Sequence, residues 1–204
     1  MKTYNRSSNR RRADYSIDFC FCDNSACAHS ALENIGRIFT PSQVCLLACE
    51  CLCALLQAWA INGFTIAFRY SQQARYLAAA QAAADCFLRL LDASAYADSY
   101  VPLWDFNATS PEQYARDTSA AAIAADALVE LAGFTQDPSL AAVYTAAAKK
   151  MLTSLTTAPF TYIGRASESP AFVGNGTVTF PQSGVPLVYG DFYLLSALLK
   201  LGGL

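Results

Sequence analysis

The sequence is poor in charge and almost without histidine. Asp, Glu, Lys and Arg together make 15% of 204 residues, and His29 is the single histidine. A Cys2His2 zinc site is therefore excluded. The net charge of -2 and the pI near 5.3 provide no basic field, so nucleic acid is not expected as a partner. Cysteine nearly vanishes after Cys53: seven of the eight lie from Cys20 to Cys53, and only Cys86 follows. The runs Cys20-Phe21-Cys22 and Cys49-Glu50-Cys51-Leu52-Cys53 leave one-residue gaps, whereas structural zinc pairs leave about two to four. No metal is expected, and the thiols read as free buried side chains or as part of a non-native segment. The basic, polar stretch Met1–Arg12 has no apolar run behind it, so no secretory leader is expected there and the compartment stays open. Val44–Phe68 is strongly apolar, yet Glu50, Gln57 and Asn62 interrupt it. It reads as a buried helix pair and not as a membrane span.

What is present is apolar. Hydrophobic residues make 54% of the chain and mean hydropathy is +0.24. That combination fits a large buried helical surface, or a fragment whose partner surface is missing. Residues 1 to about 42 hold no sustained helical or strand period, and Arg10-Arg11-Arg12 reads as a solvated patch. Composition shifts near Pro41. Residues 1–54 read as an unmatched Cys-rich segment, poorly ordered or non-native, of the kind a gene-model or splicing error produces. Within it Val44–Leu56 is apolar enough for a helix. Residues 55–204 form the regular unit.

That unit reads as all-α. Gln57–Ser71 predicts a helix with Trp59, Ile61, Phe64, Ile66 and Phe68 mostly buried and Gly63 allowing close helix contact. Ala74–Asp92 follows after a short turn, with Ala80, Ala84, Phe87, Leu88 and Leu91 on one face. Asp117–Phe134 predicts a second apolar helix, capped by Asp117 or Thr118 and stopped by Gly133. Asp137-Pro138 opens its amphipathic partner, with Lys149 and Lys150 outward. A Gly-, Pro- and Ser-rich loop from Thr156 to Pro186 precedes a last apolar helix from Val188. The polar openings Gln57, Asp117 and Tyr189 lie 60 and 72 residues apart. Each unit holds an apolar helix, an amphipathic helix and a long loop, which is an internal repeat of helical hairpins. Apolar helices then form an inner ring, amphipathic ones an outer ring, and the loops gather where the inner helices begin. Those N-terminal ends carry unpaired N–H groups and suit an anionic ligand.

Val101–Ala122 packs a Trp104-Asp105-Phe106 turn and an Arg116-Asp117-Thr118-Ser119 helix start into one span. The candidate ligand-binding residues are Gln57, Trp59, Trp104, Arg116, Asp117, Tyr189, Asp191 and Tyr193, and each also has a structural reading. Gln57 hydrogen-bonds a ligand or caps its helix. Trp59 stacks on a ring or fills the core. Trp104 and its turn touch the ligand or organise the loop, since an Asp in a turn bonds its own backbone. Arg116 and Asp117 form a binding pair, or an ion pair and cap. Tyr189, Asp191 and Tyr193 open the last helix, where tyrosine offers a flat face and a hydroxyl to a ligand or packs structurally. Asn107-Ala108-Thr109 and Asn175-Gly176-Thr177 fit the glycosylation pattern.

Five segments carry a resemblance to glycoside hydrolase family 88, the unsaturated glucuronyl hydrolases. They are QAWAINGFTIAFRY (57–70), ARYLAAAQAAADCFL (74–88), VPLWDFNA (101–108), RDTSAAAIAADALVELA (116–132) and VPLVYGDFYLLSALLK (185–200). The resemblance implies part of an (α/α)6 barrel, its C-terminal half. It also implies removal of a 4,5-unsaturated uronic acid from the non-reducing end of an oligosaccharide. In that chemistry an aspartic acid protonates the double bond and water adds at C5, without metal or cofactor. Two departures matter. The family's active-site aspartates belong to its N-terminal half, which has no match here, so no catalytic residue is assigned. The family commonly has Arg-Gly before Gln-Ala-Trp, the Arg binding substrate; this chain has Leu55-Leu56. The chain is expected to be truncated and inactive alone. Rival readings are a non-catalytic helical-hairpin module for sugar or protein, and a hydrolase of unsaturated rhamnogalacturonan pieces. A partial ring also exposes inner-helix faces, so poor solubility or self-association is expected.

Overall fold

The computed structural model describes residues 53–94, 97–108, 115–165, 167–178 and 182–203, and these form five helices with no strand beyond isolated bridges. They are α1 (Ala54–Ser71), α2 (Ala74–Ala93), α3 (Thr118–Phe134), α4 (Pro138–Leu155) and α5 (Val188–Gly202). The reading of residues 1–54 concerns a segment almost wholly outside the described residues, as does His29.

α3 is the centre. Every residue from Thr118 to Leu128 is buried, and most are alanine. Alanine carries the best helix propensity and a small side chain, so neighbours can press close on all sides. α1, α4 and α5 pack directly on α3, and α2 packs on α1. The apolar helices α1, α3 and α5 thus make an inner arc, with α2 and α4 outside it. Short links fold each pair back on itself: Gln72-Gln73 between α1 and α2, Thr135–Asp137 between α3 and α4. Asp117 caps α3 by accepting from the Ser119 and Ala120 amides, and Asp137 caps α4 from Ser139 with Pro138 in the first turn.

Several local readings need correction. α1 begins at Ala54, so Gln57 is its fourth residue and not its opening. The Ala54 amide finds its partner in the Trp104 carbonyl at 2.9 Å, a long-range bond that replaces a side-chain cap. Gly63 contacts no other helix: a Cβ there meets nothing within 4 Å. Gly133 lies inside α3, which ends one residue later and closes on Thr135. Trp59 is 37% exposed, not core. Cys86 is disulfide-bonded and not a free thiol. No described helix is long and apolar enough to cross a membrane.

In the loop before α5, Gly176 sits where the backbone of the facing segment leaves no room for a side chain. Gly176 exchanges backbone hydrogen bonds with Val185 at 2.8 and 3.1 Å. A Cβ on Gly176 would stand 2.9 Å from the Val185 carbonyl and 2.7 Å from Leu187. The carbonyl cannot retreat without breaking that pairing. Gly176→Ala is expected to cost about 1–3 kcal/mol of stability, read from denaturant unfolding.

Candidate functional site

Two loops gather the openings of the inner helices. In the first, the Trp104 amide donates to Ala115 at 2.9 Å and the Asp117 amide to Pro102 at 3.0 Å, while the Trp104 carbonyl holds Ala54. Residues 102–105 are therefore a brace between the starts of α1 and α3. The Arg116 guanidinium donates to the Val101 carbonyl within the same brace. Asp105 accepts from the Asn107 amide at 2.8 Å, the local turn its residue type favours. Phe106 anchors the turn edge-on against Phe87 of α2, centroids 5.5 Å apart.

The second loop runs across the starts of α3 and α5. Thr118 donates its hydroxyl to Gly174 at 2.6 Å and its amide to Asn175 at 3.2 Å. Thr177 donates its hydroxyl to the Arg116 carbonyl at 2.7 Å, and its amide reaches Asp117. In α5, Asp191 accepts from the Phe172 and Val173 amides at 3.1 and 3.0 Å. At Gly190 this first turn of α5 lies against Ser119 of α3 and Val173 of the loop.

On this frame three aromatics meet. Trp59 from α1 lies 5.3 Å from Tyr193, edge to face, and 6.5 Å from Tyr189, tilted. They come from helices more than a hundred residues apart in the sequence. Trp59 stays partly open to solvent, and both tyrosines are half-buried. Burial first, and then the Asp117 charge, raise the Tyr189 pKa above its ordinary value; a hydrogen bond with Ser119 partly offsets them. Burial and then the Asp126 charge raise that of Tyr193, with Lys200 opposing. Both hydroxyls are thus neutral donors at ordinary pH, set beside an indole face. Flat apolar faces with hydroxyls at their edges fit a sugar ring.

The other candidates take different places. Gln57 is buried one half-turn before Trp59. Arg116, Asp117 and Asp191 hold the two loops, and Trp104 acts through its backbone. Asp117 is fully buried, and burial outweighs four hydrogen bonds to raise its carboxyl above the usual range. A raised carboxyl can mark a general acid. Here its Oδ1 accepts from Ser119, Ala120 and Thr177, which is the work of a cap and loop clamp. Leu55 and Leu56 sit half-buried ahead of Gln57 with no charge to offer. Among the described residues no group of three His, Cys, Asp or Glu could hold a metal.

Below the aromatics lies a charged layer that residue types alone did not reveal. Lys200 of α5 bonds Asp126 at 2.9 Å and Glu130 at 2.8 Å, both on α3, and Arg69 of α1 reaches Glu130 at 3.2 Å. The one sequence signal is a carboxylate, Asp126, inside an otherwise apolar buried run; a partner 74 residues away is not visible from it.

An inner arc of helices, antiparallel outer partners and loops gathered over the inner N-terminal ends define part of an (α/α)6 barrel of the six-hairpin glycosidase class. Within that class the chain is a relative, over part of their length, of the unsaturated glucuronyl hydrolases of glycoside hydrolase family 88. It is 33% identical over 147 residues to the unsaturated glucuronyl hydrolase of Formosa agariphila, a match spanning 71% of this chain and 35% of that one. The crystal structure of unsaturated glucuronyl hydrolase from Bacillus sp. GL1 superposes with a TM-score of 0.61 at 31% identity, covering 72% of this chain and 38% of that one. A UGL variant with dGlcA-Glc-Rha-Glc matches at 30% identity and the same TM-score and coverage. No protein-family model matches the chain. The chain spans somewhat over a third of the length of these relatives.

Proposed function

We propose that this chain forms one wall of a pocket for a 4,5-unsaturated uronyl oligosaccharide. Trp59, Tyr189 and Tyr193 hold the sugar and Gln57 backs them. What supports the reading above all is the meeting of these three aromatics in the first two turns of α1 and α5, in a relative of the unsaturated glucuronyl hydrolases.

The reaction of that family's kind needs a proton donor placed at the double bond, with a pKa matched to the task. Among the described residues, Asp105, Asp117 and Asp191 at the loops and helix starts beside the aromatics each hold backbone amides instead. Leu55 and Leu56 offer the substrate carboxylate no cation. The chain therefore binds without turnover, as a truncated and inactive member of the family.

Calorimetric titration of the full chain with an unsaturated disaccharide tests this. Saturable binding is expected, with the ultraviolet absorbance of the double bond unchanged on long incubation. Trp59→Ala is expected to weaken binding about tenfold or more, the loss of one central aromatic contact. Steady bleaching of the absorbance would refute the inactivity. An absence of heat at millimolar sugar would refute the pocket.

A further inference from the structure

The inner helices enclose a polar side chain that nothing described so far accounts for. Trp59, Asn62 and Arg69 share one face of α1. Ser119, Asp126 and Glu130 share one face of α3, and Tyr189, Tyr193 and Lys200 one face of α5. These faces meet at two levels. At the upper one Trp59 touches both tyrosines, and Tyr189 bonds Ser119. At the lower one Lys200 bonds Asp126 and Glu130, and Arg69 reaches Glu130. At about 1.5 Å per residue the two levels lie about 15–17 Å apart along each of the three helices, so the layers are in register. Asn62 falls between them, one turn below Trp59. It is 4% exposed, yet among the described residues its amide makes no hydrogen bond. Asp126 Oδ1, buried on the same bore, has no partner either, and its charge is close enough to act on Tyr193. A buried amide without a partner is both costly and rare.

We propose that Asn62 is a sugar-binding residue, its amide bonding the hydroxyl edge of the ring that Trp59, Tyr189 and Tyr193 hold, with Asp126 Oδ1 accepting from a further hydroxyl. This rests on the pocket proposed above and names which edge of the ligand enters it. The floor takes hydroxyls and not the ligand's carboxylate. Lys200 and Arg69 beneath it are already bonded to carboxylates, and the open Asp126 oxygen repels an anion but accepts from a hydroxyl. An amide suits the same edge, since it both donates and accepts. The ring therefore enters hydroxyls first, with its carboxylate left at the rim.

Calorimetric titration of Asn62→Leu with the unsaturated disaccharide, beside its urea unfolding, tests this. Leucine keeps the branched outline without the polar atoms. The dissociation constant is expected to rise about tenfold, the loss of hydrogen bonding to a neutral group. The unfolding midpoint is expected to hold or rise, because an unpartnered buried amide has gone. Asn62→Ala guards against overpacking by leucine and is expected to show the same loss of affinity. Gly63→Ala, on the open side of the same turn, is expected to leave affinity unchanged. Midpoints lowered in both Asn62 variants overturn the proposal, since the amide then has a structural partner. Affinity unchanged in both overturns it too, and leaves the amide to an ordered water. In those two cases wild-type binding that Trp59→Ala weakens keeps the pocket standing, whereas no wild-type binding removes pocket and floor together.

Discussion

Lys200→Met is expected to lower the free energy of unfolding by about 3 kcal/mol. Lys200 is the cation that both Asp126 and Glu130 bond, and their side chains are only 3% and 12% exposed. Removing one partner of a buried pair leaves the other charge dehydrated, at about 3–5 kcal/mol; Lys200 is itself 28% exposed, which places the cost at the low end. Arg69 still serves Glu130, but nothing among the described residues replaces the bond to Asp126. Adding Asp126→Asn and Glu130→Gln to Lys200→Met is expected to restore much of the loss, because the uncompensated charges go with the lysine. The pH dependence has a definite sign. Burial pulls the Lys200 pKa down, but its bonds to Glu130 and Asp126 outweigh burial and leave it above the ordinary 10.5. A raised folded-state value contributes stability below the unfolded value and loses it as pH climbs through the folded one. The gap between wild type and variant is therefore level on the alkaline side of neutrality and closes only above 10.5. Denaturant unfolding across that range checks both statements.

Asp117→Ala is expected to cost about 2–3 kcal/mol, while Asp117→Asn costs less than about 1 kcal/mol. Alanine removes the cap of α3 and leaves the buried amides of Ser119, Ala120 and Thr177 without their acceptor. Asparagine keeps an oxygen in place. Its neutrality is no handicap, since burial raises the Asp117 pKa and so disfavours the charged form. On the same sign rule the Asp117 contribution is fullest below the ordinary carboxylate pKa and falls as pH rises through the raised one. If asparagine proved as costly as alanine, the charge and not the acceptor would be the working part. Unfolding midpoints of the two variants decide it.

The helices were legible because their signals are local. Ala-rich periodic runs, Asp117 before Thr118 and the Asp137-Pro138 pair each act within one turn of themselves. The inner and outer layers were legible too, since burial on several sides leaves few polar positions. The failures share a cause of the opposite kind. The opening of α1 was misplaced because a carbonyl fifty residues on, that of Trp104, supplies what a side-chain cap otherwise would. Gly63 was given a contact that only a neighbouring helix could confirm, and nothing lies within 4 Å of its would-be Cβ, while Gly133 was read as the stop of a helix that runs one residue past it.

At the site the split is similar. Trp59, Tyr189 and Tyr193 were picked by residue type and by their place at helix openings, and the structure brings them together. Arg116, Asp117 and Asp191 were picked for the same reason, yet each turns to a loop backbone. Whether a polar side chain at a helix start meets a ligand or a passing loop depends on where residues 97–117 and 156–187 run. Pro102 and Pro111 in the first and the Gly- and Pro-rich composition of the second mark them as loops without giving their course. Ser119, which bonds both Asp117 and Tyr189, escaped notice because a serine in a helix start is the commonest of residues.

The account stands on Trp59 facing a sugar cavity together with Tyr189. The sequence holds two tryptophans, so Trp104→Phe leaves Trp59 as the sole indole emitter. Titrating that variant with an unsaturated disaccharide should give a saturable change in Trp59 emission, and adding Tyr189→Ala should abolish or greatly weaken it. Emission that stays constant up to millimolar sugar, or that changes identically with and without Tyr189, would contradict it.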